Sequence, residues 1–92
     1  MRKVISSAVL AVAIAIGALF GTAGTANATG SINVCYAIDD APTYQDYLID
    51  AAVWGYAFNW DSSAQAYNIV SAVQAYCPWH LPGIKAAAAA LS

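Results

Sequence analysis

The chain has 92 residues, of which 61% are apolar and 9% are charged, so one small core is the most that it can enclose. Residues 29–92 hold five aspartates against Lys85 alone, a net charge of −4. Without a basic surface to hold phosphates, nucleic-acid binding is excluded, and attraction to anionic lipid headgroups is disfavoured.

The N-terminal segment has the pattern of a signal peptide. Arg2 and Lys3 precede an apolar run over residues 4–20, and small residues ending in Ala26-Asn27-Ala28 follow it. This pattern predicts that residues 1–28 are a cleaved signal peptide and that residues 29–92 form a small secreted domain. The alternative is an uncleaved apolar helix that anchors the domain in a membrane, because the run approaches the length of about 20 residues that spans a bilayer.

A short helix and a longer one are predicted in the first half of the domain. Val34, Cys35 and Ile38 fall at helical spacing, and the turn residues before Pro42 end that helix. Thr43 is the predicted N-cap of a second helix over residues 44–58. Its predicted buried face consists of Tyr44, Tyr47, Leu48, Ala51, Gly55 and Phe58.

Two further helices are predicted in the second half. Ser62 and Gln65 have the spacing of a capping box before a helix over residues 63–76, antiparallel to the preceding one and closed by Pro78. Its predicted buried stripe is Ala66, Ile69, Val70, Val73, Tyr76 and Cys77, and the side chains predicted to face away are Ala64, Asn68, Ser71 and Ala75. The Ala-rich residues 84–91 predict either a frayed tail or a short helix docked through Ile84 and Leu91.

The two cysteines predict one disulfide between Cys35 and Cys77. Small exported domains form disulfides because their compartment is oxidising and their core is limited. The fold class is therefore all-α: a small helical hairpin or bundle stapled by one disulfide.

The segments around these cysteines resemble a known family. Val34-Cys35 and the ending Ala75-Tyr76-Cys77-Pro78-Trp79-His80 are separated by two helical segments and preceded by a signal-like segment. This arrangement resembles the small exported mycobacterial proteins of domain-of-unknown-function family 732. The resemblance implies a compact helical domain tied by Cys35 and Cys77, with no assigned enzymatic activity. The chain departs from the family pattern in lacking a helical segment before the first cysteine and in its many aromatic residues.

Catalytic and metal chemistry find little support in the sequence. Cys77 and His80 form a C-x-x-H pair, but a disulfide would consume the thiolate that a metal requires. His80 is therefore expected to cap or pack near a helix end. The serines lack an activating partner in any recognisable motif, and the paired aspartates are expected to be solvated charges. We predict no enzyme activity, no metal and no cofactor.

The aromatic content is the one unusual feature. Ten of residues 29–92 are Trp, Tyr or Phe, which a two-helix core cannot readily enclose. These rings either form an aromatic core or leave an exposed patch that binds a protein, an envelope lipid or a second copy of the chain. The helical pattern places Trp54, Tyr56 and Trp60 in such a patch, with Trp79 at its rim.

Overall fold

The computed structural model describes residues 2–21 and 32–92 of the chain. Over these two ranges it contains five α-helices and no strand, which confirms the predicted all-α fold. The predicted cleavage pattern at residues 26–28 lies outside them. The helices are α1 (Arg2–Gly21), α2 (Asn33–Asp40), α3 (Tyr44–Ala57), α4 (Ser62–Tyr76) and α5 (Leu81–Leu91), with a 3-10 turn at Pro78–His80.

One disulfide joins α2 to the end of α4. Cys35 and Cys77 are bonded, with their Cα atoms 6.1 Å apart, and both residues are buried. The predicted staple is thus confirmed. It fixes α2 across α4 and closes the part of the chain that contains α3.

The start of α3 follows the sequence prediction, whereas the start of α4 does not. The Oγ1 atom of Thr43 accepts a hydrogen bond of 3.0 Å from the Asp46 amide, as expected for an N-cap. The capping box of Ser62 and Gln65 is wrong, because Asp61 caps α4 by accepting a 2.9 Å hydrogen bond from the Ala64 amide. A carboxylate is favoured there because it also meets the positive end of the helix dipole.

Helix α4 lies at the centre of the fold, in contact with each of the other four helices. Because several neighbours surround it, a wider arc of its surface is buried than a single stripe predicts. Ser71, predicted to face away, is buried and donates a 3.2 Å hydrogen bond to the Asn68 carbonyl. Tyr76, predicted to be buried, is exposed at the last residue of the helix.

The N-terminal helix is part of the same core. Helix α1 packs against α3, α4 and α5, and it buries Val12, Ala13 and Ile16. Helix α5 is docked through Ile84, with Leu91 half-buried, so of the two alternatives for residues 84–91 the docked helix is correct. In the described ranges, no helix combines the length and apolarity needed to cross a membrane.

Candidate binding site at an aromatic stack

Three exposed aromatic rings form a continuous stack where α3 ends. The ring centroids of Trp54 and Phe58 are 5.3 Å apart with planes 3° from parallel, and those of Phe58 and Trp60 are 5.4 Å apart at 21°. Each of the three residues is more than half exposed, at 58%, 55% and 56%. Phe58 was expected to lie in the core, and this prediction is wrong. We call these three residues the aromatic stack.

The backbone that ends α3 places Trp60 in the stack. Asn59 adopts a left-handed conformation with φ of 58°. The Trp60 amide donates to the Gly55 carbonyl at 2.8 Å, and the Asn59 amide donates to the Tyr56 carbonyl at 3.2 Å. This pair of hydrogen bonds is the Schellman motif, and Asn is one of the few residues that tolerate its left-handed position. The motif reverses the chain and brings the Trp60 ring beside Phe58.

The structure exposes all four predicted patch residues but brings only two of them together. Trp54 and Trp60 are joined in the stack by Phe58, whereas Tyr56 is exposed without a ring contact to them. Trp79 is 70% exposed, and its ring lies 5.9 Å from that of His80. The stack shares Trp54 and Trp60 with the predicted patch and has Phe58, which was not predicted to belong to it, between them. The exposure of Phe58 could have been predicted from the sequence, because Asn59 signals that the helix ends at this point.

A cleft of about 530 Å³ opens beside the stack, between α2, α3 and α4. Tyr47, Trp54 and Trp60 line it. A neighbouring cleft of about 490 Å³ shares Trp60 with the first. Trp60 therefore stands between two concave surfaces. Both volumes fall within the range of small-molecule sites, which is roughly 300–1,000 Å³.

The amide of Gln65 is fixed between α3 and α4, two of the three helices that form the cleft. Its Nε2 atom donates a hydrogen bond to the Ala51 carbonyl, and its side chain packs over Gly55. A Cβ atom at Gly55 would clash with Gln65 Oε1, so this contact requires glycine or a moved glutamine. Gln65 lines both clefts. Its side chain is bonded to the Ala51 carbonyl and does not take the capping role that the sequence predicts.

The polar residues around the clefts are acidic or neutral. Asp40 and Asp50 line the first cleft and Asp61 the second, and no residue described as lining either one is basic. Burial raises the pKa of Tyr47 to about 12, so its phenol stays neutral at physiological pH. The clefts therefore combine aromatic surface with negative charge.

A second polar cluster lies at His80, near the disulfide. Tyr44 Oη is 2.8 Å from His80 Nδ1, and His80 Nε2 is 2.7 Å from Asp39 Oδ1. The histidine makes no capping hydrogen bond with its side chain, so its ring joins α2, α3 and the 3-10 turn instead. Asp39 is thus paired with His80, contrary to the expectation of a simply solvated charge. Through its two ring nitrogens, His80 joins the end of α2 and the start of α3 to the 3-10 turn.

Comparisons with protein-family models, with curated proteins and with solved structures find no match to this chain. The function is therefore argued from the geometry of the stack and the clefts.

Proposed function

We propose that this chain is a secreted or cell-envelope protein that acts as a non-catalytic interaction module. Its aromatic stack, Trp54, Phe58 and Trp60, is the contact surface for a protein or lipid partner. The observation that carries the proposal is that three large rings stack on one another in solvent, each more than half exposed. Clustered exposed apolar surface of this kind is typical of interaction sites.

The stack suits binding for two physical reasons. Trp is enriched among the residues that dominate binding energy at interfaces. The rings already hold one another in place, so a partner orders few side chains on binding, which saves about 0.5–1.5 kcal/mol for each side chain that would otherwise be immobilised. The adjoining clefts add concave surface on both sides of Trp60.

The test replaces exposed rings and separates binding from folding. We expect the double variant Trp54→Ser/Trp60→Ser to keep its thermal stability nearly unchanged, because both side chains are exposed. It should lose self-association, measured by sedimentation velocity, or vesicle binding, measured by co-sedimentation. Trp79→Ser is the matched control, since Trp79 is exposed outside the stack.

Two results would count against the proposal. Loss of several kcal/mol of unfolding free energy in the double variant would show that these rings support the core. Unchanged association in a variant that remains folded would show that the stack is not the contact surface.

Export is supported by the disulfide, which persists in oxidising compartments, and by the signal-like N-terminal segment. Mass spectrometry of the protein recovered outside the cytoplasm separates the secreted domain from an anchored one. A chain that starts at Thr29 is the expected result, and an intact N-terminus in the membrane fraction would favour the anchor.

A further inference from the structure

We propose that the cleft between α2, α3 and α4 binds an organic ammonium cation, with aromatic rings as its walls and a carboxylate to balance its charge. The proposal rests on the function proposed above, because it names the ligand chemistry of the surface beside the aromatic stack. The residues that carry it are Trp54, Trp60, Tyr47 and Asp50, all of which line this cleft.

The first argument is the concentration of rings. Three of the residues around one cleft are aromatic, and two of them are tryptophans, the side chain that attracts cations most strongly through its ring. Phe58 lies between the two indoles in the stack and holds both in position. Tyr47 is buried and uncharged, so it adds a ring without adding a negative charge. Surfaces of this kind recognise quaternary ammonium groups.

The second argument is charge. Asp40 and Asp50 line the cleft, and residues 29–92 carry a net charge of −4. An anionic ligand would be repelled there. A neutral apolar ligand would bring apolar surface against carboxylates and take water from them without compensation, which is unfavourable. A cation instead gains from both carboxylates.

The third argument separates an organic cation from a metal ion. A hard metal ion such as Ca²⁺ requires six to eight oxygen ligands, whereas most of the wall here is aromatic and aliphatic. An alkylated ammonium group has an apolar shell that packs on rings and a charge that carboxylates attract through that shell. Its chemistry therefore matches both parts of the lining.

The same chemistry could come from a free small molecule or from a phosphocholine lipid headgroup. The experiment begins with choline, added to the full chain while tryptophan fluorescence and heat of binding are followed. The comparison ligand is 3,3-dimethylbutan-1-ol, which has the shape of choline with carbon in place of the charged nitrogen. We expect choline to bind saturably and about tenfold more tightly than the alcohol, which corresponds to about 1.4 kcal/mol for the charge.

Matched variants locate the site. Trp60→Leu and Asp50→Asn should each weaken choline binding by about fivefold or more, since each removes a ring or a carboxylate that lines the cleft. Trp79→Leu and Asp46→Asn are the controls, because each removes the same chemical group outside the cleft and should leave affinity within about twofold. Circular dichroism melts confirm folding. If Trp60→Leu is unfolded, Asp50→Asn at its exposed position decides the outcome.

The ligand source is assigned by a second comparison, between phosphatidylcholine and phosphatidylglycerol vesicles. Binding to phosphatidylcholine alone, more tightly than to free choline, supports the proposal and assigns the cation to a lipid headgroup. Choline binding without vesicle binding supports the proposal with a free ligand.

Equal binding of choline and the neutral alcohol would overturn the cation proposal while leaving the aromatic surface as an apolar contact site. Absence of binding by choline and by phosphatidylcholine vesicles would overturn the cation site as well. The proposed function would then stand or fall by the self-association and vesicle measurements on the Trp54→Ser/Trp60→Ser variant.

Discussion

Reduction of the Cys35–Cys77 disulfide should lower the free energy of unfolding by about 4 kcal/mol. The bond joins residues 42 positions apart, so it restricts a long loop in the unfolded chain. In the chain-entropy description, closing a loop of this length removes about 13 cal/mol/K from the unfolded state, which is about 4 kcal/mol at 25 °C. Small domains have a total stability of roughly 5–15 kcal/mol, so the bond accounts for a large share of it.

Equilibrium urea unfolding of the oxidised and the reduced chain measures this difference directly. The reduced chain should unfold at a lower urea midpoint and with a larger m-value, because its unfolded state is more expanded. The Cys35→Ala/Cys77→Ala variant should lose slightly more than the reduced protein, since both residues are buried and their sulfur atoms leave small voids. A loss below about 1 kcal/mol on reduction would refute the reasoning, because it would mean that the loop is already restricted in the unfolded chain.

Three smaller changes test how the helices are joined. Asn59→Gly should keep the left-handed turn and the near-ultraviolet circular dichroism of the stack, whereas Asn59→Ala should lose about 1 kcal/mol and part of that signal; equal spectra and stabilities would show that the turn does not place Trp60. Burial favours the protonated form of Tyr47. The stability that this form gives to the folded state is therefore fully present below pH 10 and is lost as the pH rises through about 12. Tyr47→Phe should therefore reduce the alkaline loss of stability by about 3 kcal/mol in pH-dependent urea unfolding, and an unchanged pH profile would contradict this assignment. In the full chain, Ile16→Ala should cost about 2–5 kcal/mol, while Ile14→Ala on the exposed face of the same helix should cost less than about 0.5 kcal/mol, and equal effects in thermal unfolding would show that α1 does not belong to the core.

The features that the sequence predicted correctly depend on local signals or on composition. Thr43 caps α3 because its hydroxyl and the Asp46 amide are three residues apart. The disulfide follows from two cysteines in a chain with a signal-like segment. The inner faces of the long helices follow from the spacing of Leu48 and Val73 with their neighbours, which any regular helix preserves.

The errors fall where a helix ends or where distant segments meet. Phe58 was placed in the core by extending the period of α3 one residue too far, to the C-cap position where the chain begins to reverse. Ser71 is predicted to face away because a stripe assumes one packed side, whereas α4 contacts four other helices. The contact of His80 with Asp39 joins residues 41 positions apart, and no pattern along the chain indicates such a pair.

The apolar composition of α1 extends beyond the residues that its packing requires to be apolar. Its buried face consists of Val12, Ala13 and Ile16, which the core requires to be apolar. Leu10 and Ile14 lie on the other side of the helix and are exposed, so packing would be equally well served by polar residues there. An apolar surface on all sides is instead what a targeting segment needs. The exposed leucine and isoleucine are thus consistent with the export proposed for this chain, in addition to the contacts that the helix makes with α3, α4 and α5.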